Sequence, residues 1–354
     1  MTIGAVDAFS EAWRRLLGEP PNAAAPPLPA EARARLDELI GSALAHDLLD
    51  AGGNDAAASA NAIRARQSLL LNRLTRHRQL ECLEQLAAAG VEVVAMKGFA
   101  TAHTLYQDPD LRVTGDLDIL VRRAQAATAA RLFLERGFRV ATDIELSRWG
   151  FISEASFLPI VSADGIANID IHVEPDCYPL HRGLETDAVF AAARAIQVSG
   201  LALRIPAPEH GFLIAVSNAT KERFSRDTIK SLLDAARLLR RGFDWGDVAR
   251  RARRARLGRP LAATLSLLVE LGLRADLAPP ELARLPGALA RFELRRILRD
   301  VEAMFPHEPG MIEKSRRELL LTAEPETVLY RAWFRLRGLV QPHTGDPRQL
   351  LNAS

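Results

Sequence analysis

Residues 113–121 read VTGDLDILV, and two acids in this stretch decide how the chain is read. Leu117, Ile119, Leu120 and Val121 make a short apolar run suited to a buried strand. Asp is depleted in strands and is rarely buried without a partner. Side chains i and i+2 share one face of a strand, so Asp116 and Asp118 point the same way, about 6–7 Å apart at Cβ. Two carboxylates so placed repel unless a cation stands between them. A divalent ion such as Mg²⁺ is satisfied by one or two carboxylates together with substrate phosphates and water. In the structural alternative Asp116 ends a turn and Asp118 pairs with Arg112 or Arg122.

A second acidic strand tips the reading toward a metal site. In NIDIHV (168–173), Asp170 sits between Ile169 and Ile171, with His172 on the same face. If this strand pairs with the first, Asp116, Asp118 and Asp170 converge. Three acids can hold two metal ions about 3.5–4 Å apart, one at the attacking oxygen and one at the leaving oxygen. Asp170 is then a ligand on the nucleophile's side or the base that takes its proton. His172 either contacts the metal site or steadies Asp170.

Outward from these strands, the period alternates between helix and strand. A long amphipathic helix over 61–89 stops at Gly90. VEVVAM (91–96) is β-rich, GFATAHTLY (98–106) helical, and DPDLRVTG (108–115) a loop. AQAATAARLFLERG is a helix and FRVA a short strand. SFLPIV (156–161) and ANIDIHV (167–173) form a hairpin around SADGI, and LALRIP (201–206) adds a strand. From 207 onward the spacing is helical. The fold class is α+β: a small mixed β-sheet packed with helices, with a helical N-terminal segment and a helical C-terminal domain. The divisions fall at 1–89, where Pro20 to Pro29 mark a linker, at 90–206 and at 207–354.

Composition narrows the function without naming it. The 354 residues are 48% hydrophobic and 25% charged, with a formal net charge of +2, too mild to argue for nucleic-acid binding. Two cysteines, Cys82 and Cys177, make neither a disulfide framework nor a CxxC site. With no apolar leader and no run of about 18 apolar residues, a cytoplasmic location is expected. No HExxH, GxxxxGKS/T or GxGxxG occurs, which argues against zinc, P-loop and Rossmann chemistry. The arginines of RRARRAR (250–256) spread around a helix with no aromatic between them, so a solvated face is expected.

The block MKGFATAHTLYQDPDLRVTGDLDILV (96–121) resembles an uncharacterised nucleotidyltransferase family. Its pattern is Lys-Gly, Leu-Tyr, Arg, then Asp-apolar-Asp, and it looks like a branch of the DNA polymerase β-like superfamily. IDIHVE (169–174) is similar to the family's later acidic strand. PEHGFLIAVSNATKERFSRDTIKSLLDAARLL (208–239) and the Trp-containing stretch at 244–247 are similar to its helical region. The resemblance spans roughly residues 61–260. It implies a nucleotidyltransferase core in which Asp116 and Asp118 bind both metals and Asp170 is the third acid. It implies an enzyme moving an NMP group from an NTP, ATP favoured, to a hydroxyl of an acceptor, with two Mg²⁺ ions and release of pyrophosphate.

The Gly-Ser turn usual in that superfamily is replaced here by Lys97-Gly98. Gly98 lets backbone approach a phosphate, the following helix offers free N–H groups, and Lys97 adds a positive charge. Arg112 forks onto a phosphate or braces Asp116 or Asp118. Tyr106 stacks on a base or belongs to the core. Lys221 and Arg223 reach the triphosphate or stay solvated. The acceptor is a small molecule, a peptide or a tRNA. Two alternatives accompany this reading: a toxin-like transferase acting on tRNA or protein, and a degenerate nucleotide-binding scaffold.

Overall fold

A computed structural model describes residues 3–20, 28–49, 56–140, 156, 159–302 and 308–340. The proline cluster expected as a linker lies largely outside these residues, as do positions 157–158 of the SFLPIV run. The fold is α+β. A five-stranded mixed sheet runs in the order β1 (Val93–Ala95), β2 (Leu117–Val121), β5 (Asn168–His172), β4 (Ile160–Val161), β3 (Arg139–Val140). β1 is antiparallel to β2, β2 is parallel to β5, and β5 and β4 form the expected antiparallel pair. The parallel pair needs a crossover, which includes helix α6 (Arg123–Leu134).

Strand periodicity sorts the central strands between two cores. Leu117, Ile119 and Val121 of β2, with Ile169 and Ile171 of β5, enter one apolar cluster. Helix α4 (Ala56–Ala88) adds Cys82, Leu83 and Leu86 to it, and α6 adds Ala126, Ala130 and Phe133. Leu120 and Val94 point the other way, into a second cluster. That cluster joins α1 (Ile3–Leu16) and α2 (Ala30–Ile40) to the helices that follow residue 207. Asp118, Asp170 and His172 occupy the even positions, so they face the helices. Helix α4 ends where Gly90 takes φ +70°, letting Val91 N–H reach the Leu86 carbonyl at 3.0 Å.

LALRIP does form a strand, β7 (Leu201–Ile205), but outside the main sheet. It pairs with β6 (Arg194–Val198) in a separate hairpin. β6 went unread because its residues are mostly exposed and lack alternation. The signal was in the turn: Ser199 and Gly200 both have positive φ, as a two-residue hairpin turn requires.

Helices α8 (Pro208–Lys221), α9 (Ile229–Leu239), α10 (Trp245–Arg254) and α11 (Gly258–Glu270) sit where helical spacing placed them. Among the described residues no helix is long and apolar enough to cross a membrane. In the arginine run, Arg251 pairs with Asp247 at 2.8 Å and Arg256 with Glu326 at 3.7 Å, while Arg253 and Arg254 are exposed, as a solvated face requires.

Candidate active site

The β2–β5 register sets Asp118 directly opposite Asp170, and Leu120 opposite His172. Neighbouring strands lie about 4.8 Å apart, so both carboxylates rise side by side from one face. His172 bridges them, with Nε2 2.9 Å from Asp118 Oδ1 and 3.1 Å from Asp170 Oδ2. Asp116 lies one residue before the strand, in the bend that leads into it. A cavity of about 710 Å³ opens over this face, between the sheet and helices α8 and α9. Seven of the residues singled out from the sequence line it: Lys97, Gly98, Arg112, Asp116, Asp118, Asp170 and Lys221.

Lys97 opens helix α5 (Lys97–Leu105) in the left-handed region, at φ +43°. A non-glycine residue held there costs about 1–3 kcal/mol and persists only where its surroundings enforce it. The reward is position: Lys97 Nζ lies 2.6 Å from Asp118 Oδ1 and 3.4 Å from His172 Nε2. Burial opposes its charge, yet Asp118, Asp176 and Asp170 outweigh burial and hold the ammonium above its ordinary range. Burial opposes the Asp118 charge too, but Lys97 and the His172 hydrogen bond hold that carboxyl far below the usual carboxylate range.

Asp116 behaves in the opposite way. Asp116 is exposed to solvent at the cavity. Repulsion from Asp118, then burial, push its carboxyl up to about 6, against the pull of Lys97. A carboxyl raised on folding weakens the fold wherever it is charged. That cost is absent below about pH 4, grows through pH 6 and is complete above it. Asp116→Asn is therefore expected to stabilise the metal-free protein by about 1 kcal/mol at pH 8, a figure discounted for solvent screening. The gain should vanish near pH 4, as denaturant titrations at the two pH values would show.

Gly98 makes room for protein rather than for open space. A Cβ there would stand 2.9 Å from Thr114 Cγ2. Thr114 is buried, in the loop that leads into the acidic strand. Gly98→Ala should displace that loop and cost about 1–3 kcal/mol by overpacking; an unchanged denaturant midpoint would refute the contact.

Arg112 pairs with neither Asp116 nor Asp118. Its fork is taken by Asp234 of α9, Nε to Oδ1 at 3.1 Å and Nη2 to Oδ2 at 2.7 Å. Tyr106 is a core residue, 8% exposed, and its hydroxyl donates to the same Asp234 at 3.0 Å, as does Thr101 Oγ1. Helix α4 braces the loop from the other side. Arg73 and Arg76 both reach the buried Asp110 carboxylate, and Gln79 donates to the Asp116 carbonyl at 3.1 Å. Lys221 faces the cavity but leans toward the buried Asp176 at 3.7 Å. Arg223 is not among the lining residues; it pairs with Glu318 at 3.0 Å.

Three functional candidates escaped sequence reading. Asp176 is 2% exposed; burial would raise its carboxyl, but Lys221 and Lys97 hold it down at about 2. Asp234 carries no local signal beyond an acid among leucines. Lys230 of α9 lines the cavity half-buried, with no ion-pair partner among the described residues. Burial, reinforced by Arg112, lowers its ammonium below the ordinary range despite Asp116.

The donor set suits a divalent cation. One ligand atom each from Asp118, Asp170 and His172 all lie within 4.8 Å of one another. Asp170 Oδ1 is buried with no hydrogen-bond donor among the described residues. Asp116 adds a carboxylate on the same cavity.

Comparison with curated proteins finds no match. Among solved structures, the chain is similar to an antigenic nucleotidyltransferase-like protein from Paracoccidioides brasiliensis, at 13% identity and a TM-score of 0.34. That alignment covers 58% of this chain and 94% of the other, and likeness at this level carries no argument about the site. The family model described as "Uncharacterised nucleotidyltransferase" matches residues 37–272, about two thirds of the 354. That span contains both acidic strands, the Lys97-Gly98 turn and the Asp234 anchor, and the chain belongs to the uncharacterised nucleotidyltransferase family.

Proposed function

We propose that the protein is a Mg²⁺-dependent nucleotidyltransferase that moves an NMP group from a nucleoside triphosphate, ATP first among them, to an acceptor hydroxyl. The observation that carries this reading is the pairing of Asp118 with Asp170 on the cavity face, with Asp116 at its edge. Asp116, Asp118 and Asp170 are the residues that hold the metal. The ion supplies charge neutralisation at the α-phosphate and the leaving pyrophosphate. Everything else falls to the chain's own groups. Lys230 and Lys221 flank the cavity as cations for the triphosphate, and the first turn of α5 offers backbone N–H groups. Asp170 takes the proton of the acceptor hydroxyl at Oδ1, while His172 holds Oδ2 in place. The hydroxyl oxygen then bonds to the α-phosphorus, and the bond to pyrophosphate breaks.

The test is incubation with each α-³²P-labelled NTP, Mg²⁺ and a panel of small-molecule, peptide and tRNA acceptors. Transfer of label with one pyrophosphate released per acceptor modified is the expected result, with Asp170→Asn slower by about 10²–10⁴-fold. Release of inorganic phosphate with no labelled acceptor would contradict it.

A further inference from the structure

Lys97 occupies the place where a second cation would act. We propose that its ammonium is a resident charge of the acidic centre, so that the site takes one divalent ion rather than the two its three carboxylates suggest. This rests on the nucleotidyl-transfer reading and sharpens it.

Four observations support the assignment. The ammonium is 2.6 Å from Asp118 Oδ1, so it sits directly against a carboxylate that would hold metal. The same oxygen accepts from His172 at 2.9 Å, so both its donors come from the chain. The Lys97 side chain is only 15% exposed, hemmed in on the face it shares with Asp118 and His172. Its backbone is held at φ +43°, a conformation that L side chains rarely adopt, at the step from β1 into α5. A solvated lysine needs neither the burial nor the strain; one that must deliver charge to a fixed point needs both.

The chemistry follows from the count. Three carboxylates, Asp116, Asp118 and Asp170, face one lysine. Lys97 cancels one of the three carboxylate charges, so a single divalent ion balances the two that remain on the protein. With no second ion beside the nucleophile, Asp170 Oδ1 receives the acceptor's proton directly.

The experiment is Mn²⁺ titration followed by electron paramagnetic resonance, with the full chain saturated in α,β-methylene-ATP. Two Mn²⁺ ions about 3.5–4 Å apart give a spin-coupled spectrum that a lone ion cannot. The wild type is expected to bind one Mn²⁺ per chain with no coupled signal. Lys97→Met, which keeps the length and removes the charge, should bind two and show coupling. Lys97→Arg should return to one. Two coupled ions in the wild type would overturn the proposal, and that arm does not depend on any variant folding. One ion in both wild type and Lys97→Met would also overturn it, because the lysine would not be what excludes the second. No Mn²⁺ bound at all would sink the metal assignment of the preceding section, a distinct failure.

Discussion

Asp234→Ala is expected to lower the free energy of unfolding by about 3–5 kcal/mol, the cost of leaving a buried charged partner unpaired. Asp234 accepts from Thr101, Tyr106 and both arms of the Arg112 fork. Both members of the ion pair are buried, at 8% and 5% side-chain exposure, so solvent cannot take over. Through those four hydrogen bonds α9 holds helix α5 and the loop before the acidic strand at once. Asp234→Asn should fall between wild type and alanine, since an amide still accepts from one side. Urea denaturation of the three proteins measures this. A loss below 1 kcal/mol for alanine would mean that the anchor is dispensable.

Asp118→Asn is expected to cost a similar amount by itself, because Lys97 and His172 lose the carboxylate that both contact. Lys97→Met should also destabilise, since it leaves Asp118 with less compensation. The double variant should be more stable than the sum of the singles allows, with a coupling of about 1.5–3 kcal/mol. Asp118→Asn and the double variant should both lack Mg²⁺-dependent nucleotide binding, whereas Lys97→Met should keep it. That separation matters: stability returns with the double change while the site does not. Additive losses would show that Lys97 and Asp118 are not energetically paired.

The legible part of the site was its acidic face. An Asp inside an apolar alternation is costly, so the sequence of β2 and that of β5 each announced an exception, and their pairing made the exceptions one site. Lys97 was legible as a candidate through its place before Gly98, but not as the direct partner of Asp118, which needs the left-handed turn at its own backbone. The sequence leaves Arg112 open between a phosphate and a brace for the acids, and Tyr106 open between a base and the core. The structure gives them a structural role through Asp234, 122 and 128 residues away. No local pattern encodes a partner at that distance. Gly98 shows the same limit: its neighbour Thr114 is set by how the loop packs, not by spacing. The β6–β7 hairpin was half legible, since its turn chemistry is explicit while its first strand is too exposed to alternate.

The most direct test of the central claim is isothermal titration of the four NTPs, with and without Mg²⁺, into wild type and Asp116→Asn at pH 8. Asp116→Asn is the decisive variant because it should fold more stably than the wild type. Lost binding could not then be blamed on a damaged fold. The account expects Mg²⁺-dependent binding of at least one NTP to wild type and at least a tenfold weaker affinity in the variant, about 1.4 kcal/mol. Equal binding by both proteins, or binding indifferent to Mg²⁺, would contradict the assignment of this carboxylate face as a metal–nucleotide site.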